Sequence, residues 1–578
     1  MVPKADLVLI HPPSTFDFAD RKAFLGPISD VVPSTPIFEM YPIGFSSIAE
    51  HLSKNGASVR IVNLAYLMLT RPKMDVRRFL GRIRARAFGI SLHWLPHAHG
   101  AVTLARMLKE VQPDVPVILG GYSSTYFHRE IISYPFVDFI LRGDSTERAT
   151  LSLIEAVKAG GDFSRVPNLT WKKNGRVVVN DRMVVEAHLD DFANDYRTMF
   201  RKAVKYCSPV AMTPIHDWWR YPITMMVTCR GCKNNCAFCG GSNFAMKRFL
   251  GRREVAFRDP VLVARDIREL SRFTTAPIFI VGDLRHASDA YARTVIDRLA
   301  EGKVKNHLVL ELFDAAPKDY FEALGRLPHV NFEISPETHD DALRRRSGKP
   351  YTSRQMEDNI AWALENGIEK FDVFFMIGIP GQDEASVMET VEYAGSLMRR
   401  FGTRVMPFIA PLAPFLDPGS LAFEHAERYG YTLLFRTFKK HLEALKKPSW
   451  KYMLNYETEH LSRNDIVRVT YEAGKRLNDL KRDTGHIDAQ NHEAVARRIE
   501  ENRALMEQVD LLVDTDGNPR GAGAERRLRE LMKKDVPLTA GVICDNEEIK
   551  WPVFTSGFRF IRIALAVIGD VVRRAVGR

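Results

Sequence analysis

Short apolar segments alternate with helical stretches through most of the first 420 residues, and this alternation constrains the fold more than any other feature. The first series has five apolar segments, at residues 6–10, 58–64, 88–91, 115–119 and 137–141. Helical periodicity lies between them, as in residues 44–54 and 100–111. Strands that are apolar throughout are typical of parallel sheets with helices on both faces. The pattern predicts a doubly wound, flavodoxin-like, Rossmann-like α/β domain over residues 1–165.

The loops that follow these strands are rich in glycine and serine, at residues 11–14, 91–93, 120–123 and 142–144. In doubly wound folds, ligands bind beyond the carboxyl ends of the strands. Small residues allow a bulky ligand to approach the backbone closely. We therefore expect a large ligand at this edge.

A second series has six apolar segments, at residues 223–227, 278–281, 308–312, 330–334, 371–377 and 405–409. Helices between them predict a partial (β/α)6 barrel over residues 216–420, with chemistry at the carboxyl ends of its strands. Asn174-Gly175 predicts a hairpin, which we place with a linker at residues 166–215. Residues 421–578 are predicted to be mainly helical.

Four of the six cysteines, Cys229, Cys232, Cys236 and Cys239, fall within eleven residues directly after the first strand of the second series. A disulfide framework would spread its cysteines along the chain, so this cluster indicates a metal site in a reduced compartment. Closely spaced thiolates are the ligands of iron–sulfur clusters. A zinc knot is the alternative, although no second cysteine or histidine pair has zinc-finger spacing. Cys229 is either a spare thiol or a fourth ligand.

The motif Cys232-x-x-x-Cys236-x-x-Cys239, with Phe238 before the last cysteine, resembles that of the radical S-adenosylmethionine (SAM) enzymes. The preceding Thr228-Cys229-Arg230-Gly231 resembles the family's approach to its first cysteine. The resemblance implies that Cys232, Cys236 and Cys239 hold a [4Fe-4S] cluster and that SAM binds its fourth iron.

Four further segments resemble the family's SAM-binding stretches on strands two, four and five. Gly282-Asp283 ends the second strand, where the family usually has Gly-Gly-Glu, and residues 334–338 and 346–352 resemble its fourth-strand motif. Residues 375–381 resemble its fifth-strand motif, with Gln382 in place of an acid. The resemblance implies SAM contacts from Phe238, Gly282, Asp283, Ser335, Glu337, Met376 and Gly378. For Glu337, the alternative is a helix cap near Thr338.

A doubly wound domain before such a barrel resembles the cobalamin-binding members of that family. The resemblance implies cobalamin contacts from Pro13, Ser14, Ser91, Leu92, Gly120, Gly121, Ser123 and Gly143. The Asp-x-His-x-x-Gly motif of other cobalamin proteins is absent. We therefore expect no protein histidine beneath the corrin, with His93, His97 and His99 as the local alternatives.

The resemblance implies reductive cleavage of SAM to a 5′-deoxyadenosyl radical, hydrogen abstraction from an unactivated carbon, and methyl transfer from methylcobalamin. The expected substrate is a small or lipid-like molecule, and the expected electron donor is a flavodoxin or ferredoxin. Two alternatives remain open, a ring-forming or C–C bond-forming enzyme without methyl transfer and a non-catalytic cobalamin sensor. No catalytic side chain is assigned.

The net charge of +11 suits nucleic acid, anionic lipid or an acidic substrate equally well. Nucleic-acid-modifying methylthiotransferases of this family have another cysteine triad in the N-terminal domain. No cysteine precedes Cys207, so no nucleic acid partner is expected.

The N-terminus lacks a signal-peptide pattern, and no apolar run reaches the ~20 residues of a membrane span. We expect a cytoplasmic protein. Residues 558–578 form an apolar helix pattern in which Arg559, Arg562, Asp570 and Arg573 share one narrow face. This pattern predicts peripheral contact with the inner membrane face, and the alternative is a terminal helix packed on the protein's own core.

Overall fold

The computed structural model describes most of the chain. The described residues are 4–18, 27, 35, 37–193, 205–206, 213–216, 218–532, 542–551, 557–559, 561–565 and 568–569. Cys207, Asp570 and Arg573 lie outside them.

The N-terminal sheet has seven strands in the described part of the chain, in the order β2-β1-β3-β4-β5-β6-β7. The strands are β1 (Ala5–His11), β2 (Val59–Asn63), β3 (Ala85–Ser91), β4 (Val117–Gly120), β5 (Phe139–Leu141), β6 (Leu169–Lys173) and β7 (Arg176–Val179). β1 to β5 are parallel, as predicted. The predicted hairpin is present as β6 and β7, but it extends this sheet in antiparallel fashion instead of lying in a linker.

Helices cover both faces of this sheet. They are Gly44–Lys54, Leu64–Thr70, Val76–Gly81, Ala98–Val111, Tyr122–Tyr126, His128–Ile131 and Glu147–Ala159. Val8 and Ile10 of β1 belong to one apolar core, while Leu7 and Leu9 belong to the other. Because successive side chains of a strand point to opposite faces, an unbroken apolar run at residues 7–10 is required to fill both cores.

The second sheet has six parallel strands in the order β8-β11-β12-β13-β14-β15. These are β8 (Thr224–Val227), β11 (Ile278–Val281), β12 (Leu308–Leu312), β13 (Val330–Glu337), β14 (Lys370–Ile377) and β15 (Val405–Pro411). Its helices are Asn243–Phe249, Pro260–Leu270, Asp289–Glu301, Lys318–Leu324, Asp341–Arg346, Ser353–Glu365 and Glu384–Phe401. The predicted partial barrel is confirmed.

A short antiparallel pair, β9 (Cys229–Arg230) and β10 (Ala256–Phe257), lies at the start of the cysteine loop. The sequence patterns did not predict this pair. It holds the loop that follows Cys229 against the segment before the next helix, Pro260–Leu270.

The C-terminal region is mainly helical, as predicted. Its helices are Leu421–Glu424, Phe438–Ala444, Arg463–Asp483, Ala489–Leu512, Ala522–Leu531 and Asn546–Ile549, and it adds the antiparallel strands β16 (Tyr431–Leu433) and β17 (Tyr456–Thr458). Trp551 and Phe558 pack in one apolar cluster with Phe279 of β11 and Val309 of β12. Trp551 and Phe558 therefore pack against the amino-terminal part of these two barrel strands. Within the described residues, no helix is both long and apolar enough to cross a membrane.

Candidate functional site

A cavity of about 590 Å³ lies between the carboxyl edges of the two sheets. Residues of both sheets line it: Leu9, Ser91, Gly120, Gly121 and Gly143 from the N-terminal domain, and Met225, Cys229, Cys232, Cys239, Gly282, Glu311 and Phe313 from the barrel. The ligand edge of the doubly wound domain thus faces the catalytic edge expected of the barrel.

The cysteine loop surrounds its sulfurs with groups that stabilise negative charge. The backbone N–H of Asn234 donates to Cys232 Sγ at 3.4 Å, and that of Gly241 donates to Cys239 Sγ at 3.3 Å. The ammonium group of Lys349 also lies close enough to interact electrostatically with Cys232 and Cys236. Amide donors and a cation are what an anionic thiolate-ligated cluster requires.

The cysteine loop is not among the close ligand groups in the part of the chain that the structure describes. A tetrahedral zinc with bonds of about 2.3 Å holds its sulfurs about 3.8 Å apart. Among the described residues, the group that comes together closely enough for one metal ion is His307, His329 and Glu369. Three closely spaced thiolates in one loop are the ligand set of an iron–sulfur cluster.

The stretch 346–352 supports the cysteine loop directly. The N–H of Ala237 donates to Ser347 O at 2.9 Å, and a Cβ on Gly348 would lie 2.3 Å from Asn235 O. Glu337, at the end of β13, has a φ of 69° and is buried, with its carboxylate 3.2 Å from Lys349 Nζ. Glu337 at the end of β13 is thus linked to the cysteine loop through its ion pair with Lys349.

The alternative role of Glu337 as a helix cap is wrong. The helix Asp341–Arg346 is capped by the side chain of Asp340, which accepts from the N–H groups of Ala342 and Leu343.

The carboxylates at the end of strands β11 and β12 have different surroundings. Asp283 is buried and accepts hydrogen bonds from Arg285 and from the N–H of Phe313 at 3.1 Å. Gly282 lines the cavity, and its N–H donates to Glu311 Oε2 at 2.6 Å. Burial raises the pKa of Glu311 to about 7. Sequence reasoning missed Glu311, although a single carboxylate in the apolar segment LVLEL is a visible signal.

The other residues predicted to contact SAM lie around the same edge. The N–H of Gly378 donates to Gln382 Oε1 at 2.9 Å, while Gln382 Nε2 donates to Met376 O at 3.2 Å. An amide at position 382 can make both bonds, which an ionised acid cannot. Phe238 is buried in an apolar cluster with Ile379, and Ser335 lies where the register of β13 shifts. Their contacts with SAM remain a prediction.

The residues predicted to contact cobalamin divide into two groups. Ser91, Gly120, Gly121 and Gly143 line the cavity, and Ser123 lines an adjoining cavity of about 90 Å³. Pro13, Ser14 and Leu92 are buried at the same edge of the sheet. At Gly121 the φ is 117° and an added Cβ would lie 2.4 Å from His93 Cα, so the loop requires glycine there.

Of the three candidate axial histidines, His93 lines the cavity, with Nδ1 2.9 Å from Ser91 Oγ. His97 Nε2 bonds Phe38 O at 3.0 Å, and His99 Nδ1 accepts from the N–H of Phe16 at 3.1 Å. Burial lowers the pKa of His93 to about 3 and that of His97 to about 4, so both rings are neutral at pH 7. His93 is therefore the histidine to examine as a cobalt ligand.

Two buried ion pairs join the N-terminal domain to the cysteine loop. Arg230 binds both carboxylate oxygens of Glu147, and Arg252 binds Asp144. Glu147 also accepts from Ser47 Oγ at 2.7 Å. Burial alone would raise the pKa of Glu147, but the Arg230 guanidinium and these hydrogen bonds hold it below its ordinary value. Glu147 is therefore an anion that requires its arginine.

Comparisons with known proteins agree with this two-domain site. The B12 binding domain model matches residues 30–151, and the Radical SAM superfamily model matches residues 226–394. A curated relative, the anaerobic magnesium-protoporphyrin IX monomethyl ester cyclase of Rubrivivax gelatinosus, is 26% identical over 200 residues, which cover 32% of each chain. An uncharacterized methyltransferase of Pyrococcus horikoshii is 23% identical over 314 residues, which cover 52% of this chain and 62% of the relative. The chain thus matches less than two thirds of either relative.

Solved structures share the fold along most of the chain. The radical SAM methyltransferase TsrM from Kitasatospora setae, with tryptophan substrate and a SAM analogue bound, has a TM-score of 0.57 at 13% identity, covering 84% of this chain and 90% of that chain. The cobalamin-dependent SAM radical enzyme OxsB, with aqua-cobalamin and SAM bound, has a TM-score of 0.53 at 12% identity, covering 100% and 80%. The chain combines a B12-binding domain with a radical SAM domain, and its cofactors are a [4Fe-4S] cluster, SAM and cobalamin.

We predict that Arg230→Met lowers the free energy of unfolding by about 3–5 kcal/mol, because it leaves the buried carboxylate of Glu147 without its partner. The control Arg293→Met breaks an exposed pair with Asp319 and should cost about 0–1 kcal/mol. Denaturant unfolding measures both values, and the double variant Arg230→Met/Glu147→Met should recover part of the loss. Equal losses for the two single variants would contradict the role given to this pair.

We also predict that replacing any one of Cys232, Cys236 and Cys239 with alanine abolishes the cluster absorbance and SAM cleavage. The Cys229→Ala variant should retain both. Cys229 precedes the three-cysteine motif and lies in the short strand β9, where it pairs with Phe257, so the cluster is expected to form without it. Anaerobic reconstitution with iron counting and 5′-deoxyadenosine analysis makes the measurement. A cluster lost in Cys229→Ala and kept in Cys232→Ala would overturn the assignment.

Proposed function

We propose that this chain is a cobalamin-dependent radical SAM enzyme that transfers a methyl group to an unactivated carbon of a small, mainly apolar or lipid-like substrate. The observation that carries the proposal is the cavity of about 590 Å³ that residues of both domains line. In the proposal, the substrate carbon binds there between the two cofactor edges. The divisions 1–165, 166–215, 216–420 and 421–578 are part of this proposal.

When bound, the cluster and SAM supply a strongly hydrogen-abstracting carbon radical, and cobalamin supplies a methyl group. The chain's own residues position these groups and exclude water. Leu9, Met225 and Phe313 give the cavity an apolar lining. Glu311 has a pKa of about 7 and can hold or release a proton at its carboxyl group near neutral pH.

Methyl transfer is favoured by the relatives. TsrM and the Pyrococcus horikoshii protein are both called methyltransferases, and TsrM shares the fold along 84% of this chain. The cyclase of Rubrivivax gelatinosus supports the second candidate, a ring-forming reaction without methyl transfer. The third alternative, a cobalamin sensor, requires no SAM turnover. For both the methyl transfer and the ring-forming reaction, a low-potential flavodoxin or ferredoxin is the proposed electron donor.

Isotope transfer from SAM to cobalamin tests the proposal without a known substrate. We predict that reduced holoenzyme incubated with SAM carrying a trideuterated methyl group forms trideuteromethyl-cobalamin, detected by mass spectrometry, and also releases 5′-deoxyadenosine. Release of 5′-deoxyadenosine without any label on cobalamin would favour the ring-forming reaction. Absence of both products would favour the sensor.

We further propose that the C-terminal segment contacts an anionic membrane surface. Ile561, Leu565 and Ile568 are 78%, 63% and 58% exposed, at helical spacing. Phe558 packs on Trp218 with ring centroids 5.0 Å apart, so the segment begins at the barrel. Exposed aliphatic side chains beside arginines suit an interfacial helix.

We predict that a triple variant with serine in place of Ile561, Leu565 and Ile568 no longer sediments with phosphatidylglycerol vesicles. Its SAM cleavage should be unchanged. The matched control places serine at three exposed apolar positions elsewhere, Val177, Leu434 and Leu511. Wild-type protein that stays in the supernatant, or equal loss in both variants, would favour packing of this segment on the protein itself.

A further inference from the structure

A cluster of metal-ligating side chains lies at the edge of the barrel sheet that is opposite the cavity. His307, His329 and Glu369 each directly precede a strand, namely β12, β13 and β14, which are neighbours in the sheet. Because the strands are parallel, their amino ends meet at one edge. We propose that these three residues bind a Zn²⁺ ion there.

The distances between the ligand atoms fit one ion. Glu369 Oε1 lies 2.7 Å from His329 Nδ1, and Glu369 Oε2 lies 3.3 Å from His307 Nδ1. The two imidazole rings stack with centroids 4.8 Å apart, and all three ligand atoms lie within 4.8 Å of one another. A tetrahedral zinc with bonds of about 2.0–2.1 Å to nitrogen and oxygen separates its ligand atoms by about 3.3 Å. The pair of Glu369 with His307 has this separation, and the shorter pair with His329, now a hydrogen bond, would open to admit the ion.

Asn331 gives an independent indication of a ligand. It is fully buried in β13, and its Nδ2 lies 3.5 Å from His307 Nδ1. Its Oδ1 has no hydrogen-bond partner among the described residues, which is costly for a buried amide. Rotation of the amide by 180° exchanges the two atoms and places the carbonyl oxygen beside the histidines. Asn331 thus offers a fourth, neutral ligand.

The alternative is a hydrogen-bonded triad without metal. In that arrangement each imidazole donates from Nδ1 to one oxygen of Glu369, so both rings hold a proton at Nδ1. In a zinc site both Nδ1 atoms use their lone pairs instead. Two imidazoles and one carboxylate are a ligand set that zinc accepts readily.

The position of this site indicates a structural role. In (β/α) barrels the amino-terminal edge serves stability, and chemistry occurs at the opposite edge. An ion held by residues before β12, β13 and β14 would link three neighbouring strands at their starts. Since it binds the folded state only, it would raise the melting temperature of the protein.

The test uses holoenzyme with its iron–sulfur cluster in place, treated with Zn²⁺ and desalted. We expect one zinc per chain by elemental analysis, a nitrogen and oxygen shell in zinc X-ray absorption, and a higher melting temperature. Glu369→Gln and His329→Gln should lose the zinc and the shift in melting temperature, while keeping the iron content. Both residues are partly exposed, which favours folded variants.

The matched control is His492→Gln, because His492 pairs with the carboxylate of Asp479 at 2.7 Å without belonging to a three-ligand group among the described residues. It should bind zinc as the wild type does. Protein that retains no zinc, or zinc with a sulfur shell that both variants keep, would overturn the proposal in favour of the hydrogen-bonded triad.

Discussion

The buried ion pairs between Arg230 and Glu147 and between Arg252 and Asp144 fasten the cysteine loop to the N-terminal domain. Both arginines belong to the barrel, one at the start of the cysteine loop and one after the helix that follows it. Both carboxylates lie at the ligand edge of the B12-binding domain. Burial makes an unpaired carboxylate costly, so each pair is strongly favoured once the two domains meet. These contacts join the two edges that line the cavity.

A second set of charges tunes the cysteine loop. Lys349 contacts Glu337 and lies near the thiols, so one ammonium group links the end of β13 to the loop. Glu311 faces the cavity beside Gly282 and has its pKa raised by burial. The positively charged Lys349 can hold anionic cofactor groups. The carboxyl group of Glu311, which titrates near neutral pH, can exchange a proton in the same site.

Periodicity predicted the two sheets well, because most of their strands contain short apolar runs that become buried on both faces of the sheet. The cysteine spacing and its place after β8 located the cluster loop. Contacts between residues distant in sequence were not predicted. Examples are the pair of Arg230 with Glu147, the hydrogen bond of Gly282 with Glu311, and the pairing of β9 with β10. These contacts depend on how loops meet in space. The hairpin was predicted correctly but misplaced, since nothing local in β6 and β7 reveals that β5 leaves an edge open for them.

The central claim is that both cofactors occupy one cavity formed by the two carboxyl edges. An anaerobic crystal structure of the reconstituted enzyme, with anomalous scattering recorded at the iron and cobalt edges, tests it most directly. Iron should lie at Cys232, Cys236 and Cys239, and cobalt inside the cavity near Gly121. Cobalt bound outside that cavity, or iron without these three ligands, would contradict the account.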